Sequence, residues 1–325
     1  MSPTVRGRFA PSPTGPMHLG NARTALLAWL SARAAGGALA MRVEDLDGPR
    51  VRPGLERRIL EELAWLGLDW DEGPDVGGPF GPYRQSERAQ RYSAALEALR
   101  ERDLVYPCFC SRKEIAAASQ APHGPGDEVR YPGTCRHLSA AERARREEAR
   151  LPAWRLRVPE GRGAVVEVED ALHGRVRFDV AAEVGDFVLM RADGVAAYQL
   201  AVVVDDAAMQ ITEVVRGDDL LPSTARQLLL YRALGLAEPR FAHVPLVVGE
   251  DGERLAKRHG ALSVGELRER GAEAAAVTGL LAHLCGLAGA GARLHPRELV
   301  DGFALTRVPR APAVLRAEAL AALSS

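Results

Sequence analysis

Two stretches of the chain carry residues whose types and spacing could do chemistry. The first is RFAPSPTGPMHLGNARTALLAWL, beginning at Arg8. It reads as a short strand, a rigid turn containing Pro11, Pro13 and Gly15, and a helix that opens just after His18. Unpaired N–H groups and the macrodipole make a helix N-terminus attractive to phosphate. His18 stands where an imidazole N–H can donate to a phosphate oxygen, and Gly20 lets the backbone approach a nucleotide base. Taken alone, a histidine beside a Pro/Gly turn would serve equally well as a plain structural turn. The second stretch holds Cys108, Cys110 and Cys135. Three crowded thiols in a chain without a disulfide framework suit a tetrahedral metal such as zinc, with His137 or His123 as the obvious fourth ligand.

These residues need elements to hold them. A β run over 5–10 precedes a helical pattern from Asn21 to Ala35, which Gly36-Gly37 stops. ALAMRVEDL reads as a buried strand ending in acidic residues. A second helix begins near Pro53, with Ile59, Leu60, Leu63 and Leu66 on one face, and a third at Ser86, a good N-cap. Residues 106–150 break the rhythm, and 154–179 read as short strands with a turn at His173-Gly174. Alternation resumes with the strand DFVLMR, a helix over Leu200–Ala208, the strand ITEVVR, a helix over Leu221–Leu234 and the strand HVPLVV; the remainder reads as helical. Such alternation predicts a doubly wound α/β fold with a parallel sheet, split by an insertion. In that class ligands sit at the carboxyl ends of the strands.

Length and composition agree. The chain has 325 residues, 47% hydrophobic and 26% charged, enough for one large α/β domain with insertions or for two domains. A net charge of −1 does not advertise nucleic-acid binding, although a local basic patch is compatible with it. The N-terminus has no apolar signal-like region. Ala274 to Ala292 lacks any full charge but contains four glycines and a histidine. It is expected to be a buried helix pair, in a cytoplasmic protein without membrane contact.

Four separated blocks add a resemblance. His18-Leu19-Gly20-Asn21 resembles the HIGH signature of class I aminoacyl-tRNA synthetases, and RLAKR at 254–258 resembles their KMSKS signature. RFAPSPTGPMHLGNARTAL, RVEDLD, VVRGDDLL with TARQ, and RLAKRHGAL are similar, in that order, to the glutamyl-tRNA synthetase branch. The resemblance covers roughly residues 5 to 265. It implies activation of L-glutamate by in-line attack of a carboxylate on the α-phosphorus of ATP, with Mg²⁺ on the phosphates. His18 and Lys257 would be the catalytic donors, and His18, Gly20, Asn21 and Lys257 would bind ATP. Glutamate would lie against Arg8, Phe9, Ala10, Pro11, Ser12, Glu44, Tyr198 and Arg216. Arg8 would pair with its γ-carboxylate, Glu44 with its ammonium group and Arg216 with its α-carboxylate. Guanidinium suits that task because it meets a carboxylate bidentately. Tyr131 would complete one closed, structural zinc site with Cys108, Cys110 and Cys135, while Cys285 is assigned to the core.

This sequence departs from the signatures at Asn21, Arg254, Ala256 and Arg258. Ala256 removes a hydroxyl from the KMSKS-like loop, whereas the central Lys257 is retained. About sixty residues follow that loop, too few for the helical anticodon-binding region of the long enzymes. The chain thus resembles a truncated branch that activates glutamate without tRNA and transfers it to queuosine, in the anticodon loop of tRNA(Asp). A short tRNA(Glu)-charging enzyme that needs a partner and a non-catalytic binding paralogue are the other readings. The expected organisation is a class I synthetase Rossmann-type parallel sheet split by a zinc-bearing insertion, then a short helical stem. Residues 1–105 and 181–250 form the two catalytic halves, 106–180 the insertion and acceptor-binding subdomain, and 251–325 the loop and stem, in a chain acting as a monomer.

Overall fold

The computed structural model describes residues 5–118, 130–253, 255 and 263–323. In chain order the elements are β1 (Arg6–Phe9), α1 (Leu19–Ala34), β2 (Ala38–Met41), α2 (Leu55–Trp65), α3 (Ala89–Glu101), β3 (Val105–Cys108), α4 (Arg112–Ala118), α5 (Ala140–Glu147), β4 (Ala153–Leu156), β5 (Val165–Asp170), β6 (Gly174–Asp179) and α6 (Val180–Glu183). They continue with β7 (Val188–Met190), α7 (Tyr198–Ala208), β8 (Glu213–Gly217), α8 (Leu221–Leu234), β9 (Arg240–Val244), β10 (Val247–Val248), α9 (Val264–Glu269), α10 (Ala274–Leu284), β11 (Ala313–Val314) and α11 (Ala317–Ala321).

Two groups of parallel strands carry the site. β1 pairs with β2, Phe9 opposite Met41. β8 pairs with β9, and β9 with the end of β5, giving the order β6-β5-β9-β8 with β6 as an antiparallel edge. Arg6 and Thr212 join the groups: Thr212 donates its backbone N–H to Arg6 O at 2.9 Å, and the Thr212 hydroxyl accepts the N–H of Arg6 at 2.8 Å. The parallel pairing expected from the alternation is therefore present within each group.

Helix α1 lies centrally. Most of it is inside, and Leu19, Leu26, Leu27, Trp29 and Leu30 are all buried. Arg23, buried among these apolar residues, ties the helix down. This buried guanidinium donates through Nε to Leu284 O at the end of α10, at 3.1 Å, and through Nη1 to Pro245 O at 2.5 Å. A cation at a helix C-terminus is well placed against the macrodipole.

Several local expectations need correction. The α1 helix does open just after His18, its N-cap residue, at Leu19, two residues before the helical pattern read from Asn21. Ser86 does not cap α3. It sits in a 3₁₀ turn over Gln85–Arg88, where its N–H and hydroxyl both donate to Asp45. DFVLMR does not rejoin the parallel sheet: β7 pairs antiparallel with β4, which pairs antiparallel with β3. A short apolar run announces a strand but not its sheet. HVPLVV divides into the end of β9 and β10, split at Pro245-Leu246, since proline cannot donate to a central ladder. The tail is not wholly helical, because β11 pairs parallel with β10. The 274–292 segment is one helix, not two. It ends at Leu284, capped by Cys285 and followed by Gly286 at φ +69°, the left-handed conformation that stops helices.

Candidate active site

The turn from Phe9 to His18 is anchored by its backbone. Phe9 O accepts from Arg42 N at 3.0 Å, and Pro11 O from Glu44 N at 3.0 Å, so β1 and the segment after β2 hold the turn between them. Beyond it, His18 forms an isolated antiparallel bridge with Ser263, and Met17 O accepts from Val264 N at 3.0 Å. Ser263 and Val264, at the start of α9, are thus fastened to the turn itself. A capping box made by Ser263 and Glu266 starts α9 at that point.

A cleft of about 560 Å³ opens over this turn. Its walls include Arg8, Phe9, Ala10, Pro11, Ser12, His18, Gly20, Asn21, Glu44, Tyr198 and Arg216, so the expected residues converge from β1, the turn after it, α1, the segment after β2, α7 and β8. Nothing lies within 4 Å of where a Cβ on Gly15 would stand, and one on Gly20 would meet only Val247, at 3.9 Å. The protein itself does not forbid side chains there; the space belongs to the cleft. The imidazole of His18 makes no capping bond to the helix, and its Nδ1 is buried without a partner among the described residues. Lys257, with Arg254, Ala256 and Arg258, lies outside the described residues, as does His123.

Arg8 and Glu44 of the cleft are held by a buried charge network around two adjacent carboxylates of α7. Arg8 is 5% exposed and reaches Asp206 through Nε at 3.5 Å; its terminal nitrogens make no hydrogen bond to the described residues. Arg42 is wholly buried, 2.6 Å from Asp206 and 3.0 Å from Glu44. Burial opposes the Arg42 charge, but Asp206, Glu44 and Asp205 outweigh it and hold the guanidinium firmly ionised. Burial would likewise protonate Asp206, yet Arg42 and Arg8 keep its carboxyl below the usual range. For Glu44 burial prevails over Arg42 and Arg8, and its pKa is raised.

Arg216 is 4% exposed. It donates to His243 Nε2 at 3.0 Å, to Thr224 and Gln227 at 2.8 Å each, and more distantly to Tyr198 OH at 3.4 Å. None of these partners is an anion, and burial lowers the Arg216 pKa. A carboxylate arriving beside its free edge would supply the missing counter-charge.

A second cavity of about 910 Å³ adjoins the first and shares Ser12, Glu44 and Tyr198 with it. Arg50, Arg112, Arg155 and Arg191 line it, and Cys110 stands on its wall. Arg155 is buried, stacks 3.8 Å over the Tyr131 ring, and leaves Nε without a partner among the described residues.

Cys108, Cys110 and Cys135 come together, their sulfurs all within 4.8 Å of one another. Tyr131 OH lies 3.4 Å from Cys108 Sγ and 3.9 Å from Cys110 Sγ, and accepts the backbone N–H of Cys135 at 2.9 Å. Hydrogen bonds from Cys135 and Tyr131 bring the Cys108 thiol down to about 4, while Cys135 and Tyr131 are pushed up. Three sulfurs and a phenol oxygen at this spacing fit a tetrahedral thiophilic ion. His137 is exposed and stands outside the cluster. Cys285 is buried in core, its thiol raised to about 11.

Sequence reading missed Asp205, Asp206, Arg42 and His243. One signal was available: VVVDDAA places two neighbouring carboxylates inside an otherwise apolar helix, where unpaired charge is not tolerated.

Residues 4–320 match the family described as tRNA synthetases class I (E and Q), catalytic domain. The chain belongs to this family, and it is a class I ligase-type enzyme. Class I synthetases use ATP with Mg²⁺. Among its relatives, the chain is 53% identical to a glutamyl-Q tRNA(Asp) synthetase of Symbiobacterium thermophilum, over 98% of both chains. It is 48% identical to glutamate–tRNA ligase 1 of Halorhodospira halophila, over 95% of this chain but 64% of that one. A crystal structure of a glutamate tRNA ligase from Elizabethkingia meningosepticum, in complex with its amino acid, superimposes with a TM-score of 0.85 at 33% identity, covering 98% of this chain and 68% of that one. No helix among the described residues is long and apolar enough to cross a membrane.

Proposed function

We propose that the chain activates L-glutamate with ATP, without needing tRNA, and transfers the glutamyl group to queuosine in the anticodon loop of tRNA(Asp). The observation that carries the first half is the convergence of two buried guanidiniums, Arg8 and Arg216, and one buried carboxylate, Glu44, on one cleft. Glutamate presents the complementary set: two carboxylates and one ammonium. Arg8 takes the γ-carboxylate, Glu44 the ammonium group, and Arg216 orients the α-carboxylate, with Phe9 to Ser12 and Tyr198 as walls.

ATP lies along the N-terminus of α1, with its base near Gly20 and Asn21. An α-carboxylate oxygen bonds to the α-phosphorus as the bond to pyrophosphate breaks. His18 and Lys257 donate to the oxygens that gain charge, so that catalysis is positioning and electrostatic stabilisation rather than covalent chemistry. An acceptor hydroxyl then attacks the glutamyl carbonyl, and AMP leaves. We assign that acceptor to the second cavity, whose arginines suit a nucleic-acid backbone. Zinc on Cys108, Cys110, Tyr131 and Cys135 would cross-link the strand end at β3 to the loop before α5, as a structural ion.

The acceptor assignment rests on the relative named glutamyl-Q tRNA(Asp) synthetase, with which this chain shares 98% of its length in both directions. The activation half is tested by ATP–pyrophosphate exchange with purified protein, glutamate and Mg²⁺. Exchange with glutamate alone supports the reading. Exchange only when tRNA(Glu) is added contradicts it and supports a tRNA-charging enzyme.

A further inference from the structure

Three neighbouring strands place three polar side chains in one buried row. The β8–β9 register sets Arg216 beside His243, and β5 runs along the other side of β9 and ends at Asp170. Asp170 and His243 have no exposed side-chain surface, and Arg216 is 4% exposed.

The hydrogen bonds leave one tautomer. Asp170 Oδ1 accepts the backbone N–H groups of Leu172 and His173 at 2.9 Å each. Its Oδ2 accepts the backbone N–H of His243 at 3.0 Å and faces His243 Nδ1 at 2.6 Å. A carboxylate holding three backbone donors is an acceptor only, so the imidazole proton sits on Nδ1. Nε2 then offers a lone pair, and Arg216 Nε donates to it at 3.0 Å, with Thr224 Oγ1 also at 3.0 Å. Arg216 Nη2 is committed to Thr224 and Gln227. The remaining nitrogen, Nη1, has only Tyr198 OH at 3.4 Å and belongs to the cleft-side edge.

We propose that His243, with its tautomer set by Asp170, is a positioning residue that aims the free edge of Arg216 at the carboxylate of the bound amino acid. The inference rests on the reading of Arg216 as a glutamate ligand. The charged and titratable groups facing His243 are Asp170, Arg216 and His173. A proton on Nε2 would set a donor against a donor and release Arg216, so substrate binding requires the neutral ring.

His243→Asn and His243→Gln separate the two halves of the relay. Asparagine reaches the Nδ1 position and keeps the bond to Asp170, but presents nothing to Arg216. Glutamine carries its carbonyl to the Nε2 position. In ATP–pyrophosphate exchange, His243→Asn should raise KM for glutamate about 10- to 100-fold, as expected for loss of a hydrogen bond to a charged group. KM for ATP should stay within about twofold, and His243→Gln should recover most of the loss. An unchanged glutamate KM, a parallel rise for ATP, or equal damage in the two variants overturns the proposal. Should His243→Asn fail to fold, ¹⁵N spectra of the wild-type imidazole decide: a proton on Nδ1 throughout pH 6–8 supports the relay, and a proton on Nε2 overturns it. Absence of glutamate-dependent exchange in the wild type would instead defeat the reading of the site, so the two failures fall in different measurements.

Discussion

A buried guanidinium without a close counter-ion is costly, and Arg8 is nearly in that state. Among the described residues its ion pair is with Asp206, 3.5 Å away, which is already shared with Arg42 at 2.6 Å. The arrangement makes sense if a second carboxylate arrives with the substrate. Arg8→Lys keeps the charge but loses the planar fork, and should raise KM for glutamate about 10- to 100-fold with little effect on KM for ATP. Equal effects on both substrates would remove Arg8 from the glutamate pocket. His243 makes a prediction about acid stability. Burial is the largest influence on it and lowers its pKa to about 4, from an ordinary 6.5. Between those values the unfolded chain binds a proton that the folded chain does not. Stability therefore rises with pH across that window, and falls as pH drops from 6.5 towards 4, by roughly 3 kcal/mol in all. Urea titrations of the wild type and His243→Gln should differ in slope over pH 4–6.5. Parallel curves would mean that His243 is not held neutral.

At the scale of elements, Asp205 joins α7 to the segment leading into α3. It accepts from Gln85 at 2.8 Å, Arg88 at 2.6 Å and Tyr92 at 2.9 Å, all inside the core. Arg88 also donates to Phe80 O and Pro82 O, so one carboxylate fixes a whole loop. Asp205→Ala leaves a buried guanidinium unpaired and should cost about 3–5 kcal/mol in chemical denaturation. A loss below about 1 kcal/mol would show that the network is dispensable. The cysteine cluster makes the complementary case: it joins the end of β3 to a loop beside α5, a helix with no buried residue of its own. Purified protein should carry one zinc per chain, and Cys135→Ser should lose it with a lower Tm. Metal-free protein of unchanged Tm would contradict that role.

Across the whole molecule, what could be read in advance followed from how local each cause is. The strand–turn–helix at Arg8 to Leu30 was legible because prolines, glycine and apolar periodicity act within a few residues of themselves. The boundaries of α8, Leu221 to Leu234, were legible for the same reason, with Gly235 in the left-handed conformation at its end. The destination of β7 was not, because a three-residue apolar strand fits a parallel or an antiparallel sheet equally. Asp206 and His243 stayed hidden because their importance comes from Arg8, Arg42 and Asp170, which are remote in sequence and adjacent only through the register of the sheet. The proposal for the amino acid thus rests on the charges of the cleft, and the proposal for the acceptor on a second cavity and a relative's name. The most direct measurement is transfer of labelled glutamate from ATP and the purified protein to two preparations of tRNA(Asp), one with queuosine and one with unmodified guanosine at the wobble position. We expect label only on the queuosine form; equal labelling of both, or label on tRNA(Glu) alone, would contradict the account.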